Sequence, residues 1–251
     1  MTEAIKIINI SKTYHQRKAN DVVALGDIYL SIEEGSFFGL IGPNGAGKST
    51  LIKLITGLSC QDRGTISING FDTIKQYQIA RQMVGVSLQE HSFDPYLTVE
   101  EELYLTGGYF GKNKAYLSMK IPEIIKLFVL EDKRKTATDK LSGGMKRRLA
   151  IAKALIHEPK ILILDEPTAG LDVQLRHELW EILEKLNKQG TTILLTTHYL
   201  EEVEHLCDEV AIIDRGKIIH TAKNHKVDLQ ENSKLEKLFL ELVKNDQSDT
   251  L

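Results

Sequence analysis

The amino-acid sequence predicts an α/β fold: a mainly parallel sheet with helices between its strands, and a helix-only block inserted into it. Apolar strand patterns alternate with amphipathic stretches at both ends of the chain, as βα units do. Two apolar runs, residues 37–41 and 161–164, show no polar alternation and read as strands covered on both faces. Residues 95–158 carry helical spacing and no convincing strand.

The elements follow in order. Residues 5–10 and 29–32 alternate enough to form half-buried strands. Residues 37–41 form a buried strand stopped by Gly42, and Leu51, Ile52, Leu54 and Ile55 open an amphipathic helix behind it. Residues 65–68 alternate and end in the Asn69-Gly70 turn signal. Helical patterns fill 98–130 and 143–157, and 160–164 is the second buried strand. Leu175, Leu179, Ile182, Leu183 and Leu186 make one apolar stripe, with Gly190 as its stop. Residues 192–196 give a third buried strand, and 210–213 and 217–219 flank Asp214-Arg215-Gly216 as a hairpin. Leu235, Leu238, Phe239 and Leu242 predict a docking helix over 233–243. There is no internal repeat and no low-complexity stretch.

Bulk composition excludes several classes. The 251 residues hold 42% hydrophobic and 27% charged side chains, the balance of an ordinary globular protein. A net charge of −3 argues against a nucleic-acid binder. No apolar run approaches the ~20 residues of a membrane span, so the chain forms no pore by itself. Residues 1–14 lack a secretory pattern, which predicts a cytoplasmic location. Cys60 and Cys207 are expected to be reduced and structural, and no Cys/His cluster has metal-ligand spacing. Charge is uneven: residues 133–160 contain nine basic residues against Asp139 and Glu158, a local +7. That stretch reads either as a solvated helix face or as a surface meeting phosphates.

Three segments carry chemistry. Gly42, Pro43, Asn44, Gly45, Ala46, Gly47, Lys48 and Ser49, followed by Thr50, fit G-x-x-x-x-G-K-[ST] between a buried strand and a helix. Glycines let the backbone curl so that its N–H groups face phosphate oxygens, and the helix N-terminus adds a positive end. Lys48 brings a charge to the β- and γ-phosphates, and Ser49 a hydroxyl to Mg²⁺. The second buried strand ends in Asp165-Glu166, placing Asp165 to hold Mg²⁺ directly or through water and Glu166 to polarise a water. His198 ends the next strand, positioned to hydrogen-bond the γ-phosphate or the catalytic base. The third segment is Ser142-Gly143-Gly144, an N-cap and two glycines opening a second phosphate-type helix start.

Taken in order, these motifs resemble those of the ATP-binding subunit of an ABC transporter, over almost the whole chain. Residues 42–49 resemble Walker A, 161–166 Walker B with its catalytic glutamate, and 141–145 the LSGGQ signature. Gln89 resembles the Q-loop glutamine, Asp172 the D-loop acid, His198 the switch histidine and Tyr14 the aromatic that stacks on adenine. The resemblance implies a P-loop NTPase with a RecA-like, mainly parallel core, an N-terminal antiparallel β subdomain and an inserted α-helical subdomain. It places the ATPase domain at 1–225, with the core in 1–94 and 159–225, the helical subdomain in 95–158 and a short helical tail in 226–251. It implies Glu166, His198 and Lys48 as catalytic. ATP would be held by Tyr14, residues 42–50, Gln89, Ser142, Gly143, Gly144 and Asp172, and Mg²⁺ by Ser49, Gln89 and Asp165.

The same resemblance implies a head-to-tail homodimer, or a pseudo-symmetric heterodimer, with each ATP between one Walker A and the partner's signature. It also implies a separate integral membrane permease, hence a place on the cytoplasmic face of the cell membrane. Met145 departs from the family's usual Gln, and Met-Lys-Arg-Arg at 145–148 is similar to the ABC-2 type exporters of drugs or polysaccharides. The competing readings are a soluble ABC ATPase of cofactor assembly, which length does not exclude, and a small-molecule kinase, which leaves residues 141–144 and His198 without a role.

Overall fold

A computed structural model describes residues 2–15, 21–90 and 92–223. Residues 226–251, the expected helical tail, lie outside the described residues. The chain begins with β1 (Glu3–Tyr14), β2 (Val22–Glu33) and β3 (Phe37–Ile41), then α1 (Lys48–Ile55), β4 (Arg63–Ile68), β5 (Phe71–Asp72), α2 (Tyr77–Gln82) and β6 (Val84–Ser87). Three helices follow: α3 (Val99–Tyr109), α4 (Lys114–Leu127) and α5 (Gly143–Leu155). The remainder is β7 (Ile161–Asp165), α6 (Val173–Lys188), β8 (Thr192–Thr197), α7 (Leu200–Leu206), β9 (Glu209–Asp214) and β10 (Lys217–Lys223).

Two sheets form. β2-β1-β4-β5 is antiparallel throughout, and β10-β9-β3-β8-β7-β6 is parallel except for the edge strand β10. The apolar runs of β3, β7 and β8 serve two cores at once. Phe37, Ile41, Leu162, Leu164, Ile193 and Leu195 face α3–α7. Phe38, Leu40, Ile161, Ile163 and Leu194 face α1 and the antiparallel sheet. Covered on both sides, these strands have no solvent face to require polar alternation.

The helical block departs from the sequence expectation in one respect. The single pattern over 98–130 is two helices, because Gly111 takes φ +73 between them. Thr98 and Glu101 close a capping box on α3, Asn113 caps α4 and Ser142 caps α5, each supplying acceptors to N–H groups that have no intrahelical partner. The short elements β5, α2 and α7 carry too few residues for a readable period, and all three went unpredicted.

Neither cysteine forms a disulfide among the described residues, and only Cys207 is buried. Cys60 is exposed, so the expected packing role fails there. His157, just beyond α5, is 4% exposed and lies flat against Phe110 at 3.6 Å between ring centroids. Burial is the main cause that lowers its pKa from 6.5 to about 4, with Lys112 adding to the effect against a bond to the Val84 carbonyl. The folded chain therefore binds fewer protons here than the unfolded chain below pH ~6.5. Stability from this group is complete above pH ~6.5 and is lost as pH falls toward 4, on the order of 2 kcal/mol. Denaturant midpoints between pH 7 and 4.5 should fall less steeply in His157→Gln than in the parent chain.

Candidate functional site

Register brings the chemistry together. In the parallel sheet Ile41 lies opposite Thr197, and Thr196 opposite Asp165, so the residues leaving β3, β7 and β8 emerge side by side at the carboxyl end of the sheet. These are the loop after Ile41, the Asp165-Glu166 pair and His198. β6 pairs with β7 up to Ser87↔Leu164, which delivers Gln89 to the same edge.

The loop after β3 is held by close backbone approach. A Cβ on Gly42 would sit 2.2 Å from the Ile213 carbonyl oxygen, which no side chain could tolerate. Gly47 has φ +111, and a Cβ there would meet Leu25 and the Ala24 carbonyl, so glycine is required on two counts. Lys48, buried at the first position of α1, donates to the carbonyls of Gly42 at 2.7 Å and Pro43 at 3.1 Å. Burial is the larger influence and lowers the proton affinity of its ammonium, while Glu166 and Asp165 act the other way. Asn44, Gly45 and Ser49 are exposed, Pro43, Gly47 and Thr50 partly so, and Ala46 is buried.

Both carboxylates are buried, Asp165 at 4% exposed and Glu166 at 8%. Asp165 Oδ1 accepts the Thr196 hydroxyl at 2.6 Å. Glu166 Oε2 accepts from Gln89 Nε2 at 3.1 Å, and Oε1 lies 3.3 Å from His198 Nδ1. The Glu166 backbone takes φ +49, a strained value for any residue that carries a Cβ, and its N–H is tied to the Thr196 carbonyl at 3.0 Å. Lys48, Gln89, Asp165, Glu166 and His198 thus form one group. Chemically it offers a fixed cation, a carboxylate able to accept a proton from water, and a carboxylate-plus-hydroxyl oxygen set of the kind hard divalent cations prefer.

The other expected residues sit apart from this group. Tyr14 ends β1, 38% exposed, with the Lys12 ammonium 5.6 Å from its ring. Asp172 caps α6, accepting from Leu175 N–H at 2.9 Å. Ser142 accepts from Met145 N–H at 3.3 Å. Beside it Gly143 has open space where a Cβ would point, whereas a Cβ on Gly144 would come 2.8 Å from Leu175 Cδ1. Met145 is half-buried and packs against the larger core, which accounts locally for an apolar residue there.

Two contributors were missed in the sequence. Thr196 was read only as a strand residue, because its pairing with Asp165 is a cross-strand fact. Arg147 was counted within the +7 stretch as a surface charge, yet it is 7% exposed, reaches the Leu88 carbonyl at 3.5 Å and lies in the fields of Asp165 and Glu166. The rest of the +7 is offset in part by acids from other elements: Arg148 pairs with Glu178, Lys153 with Glu102 and Arg134 with Glu100. Neither a solvated face nor a phosphate-binding surface describes that stretch fully.

The chain is similar to known proteins over most of its length. The family profile described as "ABC transporter" matches residues 25–169. "Nod factor export ATP-binding protein I" of Cupriavidus metallidurans is 40% identical over 227 residues, covering 90% of this chain and 73% of the relative. The protein of the same name from Sinorhizobium fredii is 43% identical over 222 residues, covering 88% of this chain and 63% of the relative. Among solved structures, "Structure of ATP binding subunit of ABC transporter" superposes with TM-score 0.83 at 31% identity, over 96% of this chain and 99% of that one. "Dimeric structure of a post-hydrolysis state of the ATP-binding cassette MJ0796 bound to ADP and Pi" gives TM-score 0.80 at 28% identity, over 87% of this chain and 98% of that one. Motif order, site geometry and these matches lead to one conclusion: the chain belongs to the ABC transporter family, as an ATP-binding subunit that hydrolyses ATP to power transport.

Proposed function

We propose that this subunit drives export as one half of a head-to-tail ATPase pair seated on a separate membrane permease. The observation that carries the pairing is the separation between two phosphate-type helix starts. α1 begins inside the Lys48–Glu166 group, while α5 begins at exposed Ser142 and Gly143, outside it. Unsatisfied N–H groups at an open helix start suit an anion, and a second copy supplies one. A solved relative whose title describes a dimer bound to ADP and Pi supports this reading. The export named in the curated relatives supports the direction of transport and weighs against the soluble alternative.

In this reading Tyr14 stacks on adenine, residues 42–50 cradle the phosphates and Lys48 neutralises them. Ser49, Gln89 and Asp165 hold Mg²⁺, whose oxygen-ligand preference their side chains meet; bound there it supplies Lewis acidity to the phosphate oxygens. Glu166 takes a proton from the attacking water, and His198 steadies Glu166 and the γ-phosphate. Asp172 lies near the pair interface, with Ser142, Gly143 and Gly144 facing the partner's nucleotide. The proposed domain limits are a core in 1–94 and 159–225 and a helical arm in 95–158.

Among the described residues no helix is long and apolar enough to cross a membrane; in this reading a separate permease supplies the path. An apolar groove of about 300 Å³, bounded by Leu58, Arg81, Val86, Leu88 and Phe110, opens beside Gln89 and suits a helix of that permease at the cytoplasmic membrane face. Tagged chain recovered from detergent-solubilised cell membranes should bring down an integral membrane protein. Recovery with soluble partners alone would overturn the export reading.

A further inference from the structure

Glu202, on α7, is 0% exposed, and among the described residues no lysine, arginine or histidine pairs with it. Three neutral donors serve its carboxylate instead. Oε1 accepts the Thr168 hydroxyl and, at 3.3 Å, the Trp180 indole N–H; Oε2 accepts the Thr197 hydroxyl. Thr197 Oγ1 also accepts the Tyr199 N–H at 3.0 Å, so its own proton is committed to Glu202. Burying a carboxylate without a cation is costly even when it is hydrogen-bonded, and an apolar group of similar size often serves stability as well. Stability alone therefore does not explain this network.

Its anchors explain it better. Thr168 lies two residues after Glu166, and Thr197 directly before His198. Glu166 holds a strained φ of +49, a conformation that persists only where the surroundings over-determine it. Thr196 ties down one end of this turn through the Glu166 N–H, and the Glu202–Thr168 bond ties down the other. Through Thr197 the same carboxylate fixes the strand end from which His198 reaches Glu166 at 3.3 Å.

We propose that Glu202 is a positioning residue for ATP hydrolysis: its buried carboxylate clamps Thr168 to Thr197 and so fixes Glu166 and His198 relative to one another. The proposal rests on the assignment of Glu166 as the group that activates water, and it adds a residue that touches neither nucleotide nor water.

Two variants test it in the full chain. Glu202→Gln keeps the shape but offers an amide to a hydroxyl that needs an acceptor, and Thr168→Val removes one anchor with little change in volume. Each should lower kcat by ~10–100-fold, as loss of a supporting bond around a catalytic group does, with KM for ATP within about twofold. In single-turnover measurements on Glu166→Gln, adding Glu202→Gln should cost little further, because the two act as one unit. A merely structural role predicts the opposite pattern: a lower melting temperature and active fraction, kcat per folded molecule retained, and full additivity with Glu166→Gln. Any of those results, or parental kcat in both folded variants, overturns the proposal alone. A parent chain that hydrolyses ATP while Glu166→Gln does so equally well overturns the assignment of Glu166, and this proposal with it.

Discussion

Glu166→Gln lowers steady-state ATP turnover by about two to four orders of magnitude, the range for loss of a positioned general base. The substitution removes the ability to accept a proton and little else. The side chain is buried, its Oε2 receives the Gln89 amide at 3.1 Å, and a glutamine oxygen can receive the same bond. Lys48 keeps its two carbonyl contacts and Asp165 its Thr196 hydroxyl, so nucleotide binding has no reason to weaken. Binding without hydrolysis shifts the population toward whatever state ATP favours. With a head-to-tail pair, that is a dimer holding two nucleotides. Phosphate release should fall while light scattering with Mg-ATP reports a doubled mass, and the mass should return to that of one chain when ATP is removed. Unchanged phosphate release in the variant would remove Glu166 from the mechanism. A monomer that binds ATP tightly but never pairs would remove the sandwich.

Much of this site was legible because its parts are local. A glycine loop between a buried strand and a helix, or two acids at a strand end, are runs of consecutive residues whose chemistry follows from spacing. That is why Gly42 to Ser49 and Asp165-Glu166 stand out in the sequence; Ser142-Gly143-Gly144 stands out for the same reason but lies apart from this group. The three central strands were legible for a related reason, since a strand buried on both faces has to be apolar throughout. What stayed hidden depends on pairing across the fold. Thr196 belongs to the site only because β7 and β8 align Asp165 with Thr196. Arg147 looks like its neighbours Lys146 and Arg148 until packing turns it toward Leu88. The +7 stretch misled in the same way: its offsetting acids, Glu100, Glu102 and Glu178, lie on α3 and α6. Glu202 sits in an unpredicted helix of one and a half to two turns, too short to show a face, so nothing marks it as the buried acid between exposed Glu201 and half-buried Glu204.

Lys48→Ala should weaken ATP binding by about a hundredfold or more, and here the structure sharpens what the motif alone implies. In this chain the ammonium is folded back on its own loop, donating to the carbonyls of Gly42 and Pro43, within the fields of Glu166 and Asp165. On the proposed reading it therefore has two tasks. One is to meet the phosphates, at roughly 1.5–3 kcal/mol for each charge-assisted bond, so that two bonds correspond to a hundredfold or more in affinity. The other is to offset two buried carboxylates that a polyanion must approach. Without Lys48 the phosphates meet Asp165 and Glu166 with less compensation, and affinity falls further than the missing phosphate bonds alone would cause. Two measurements separate these tasks. Titration with a fluorescent ATP analogue reports the first. The second appears as recovery of affinity when Asp165 and Glu166 are neutralised to Asn and Gln in the Lys48→Ala background, with magnesium omitted to leave only the repulsion. If neutralising the acids restores nothing, the lysine acts through its phosphate bonds alone; if Lys48→Ala binds ATP within threefold of the parent, the loop does not hold the triphosphate as its geometry implies.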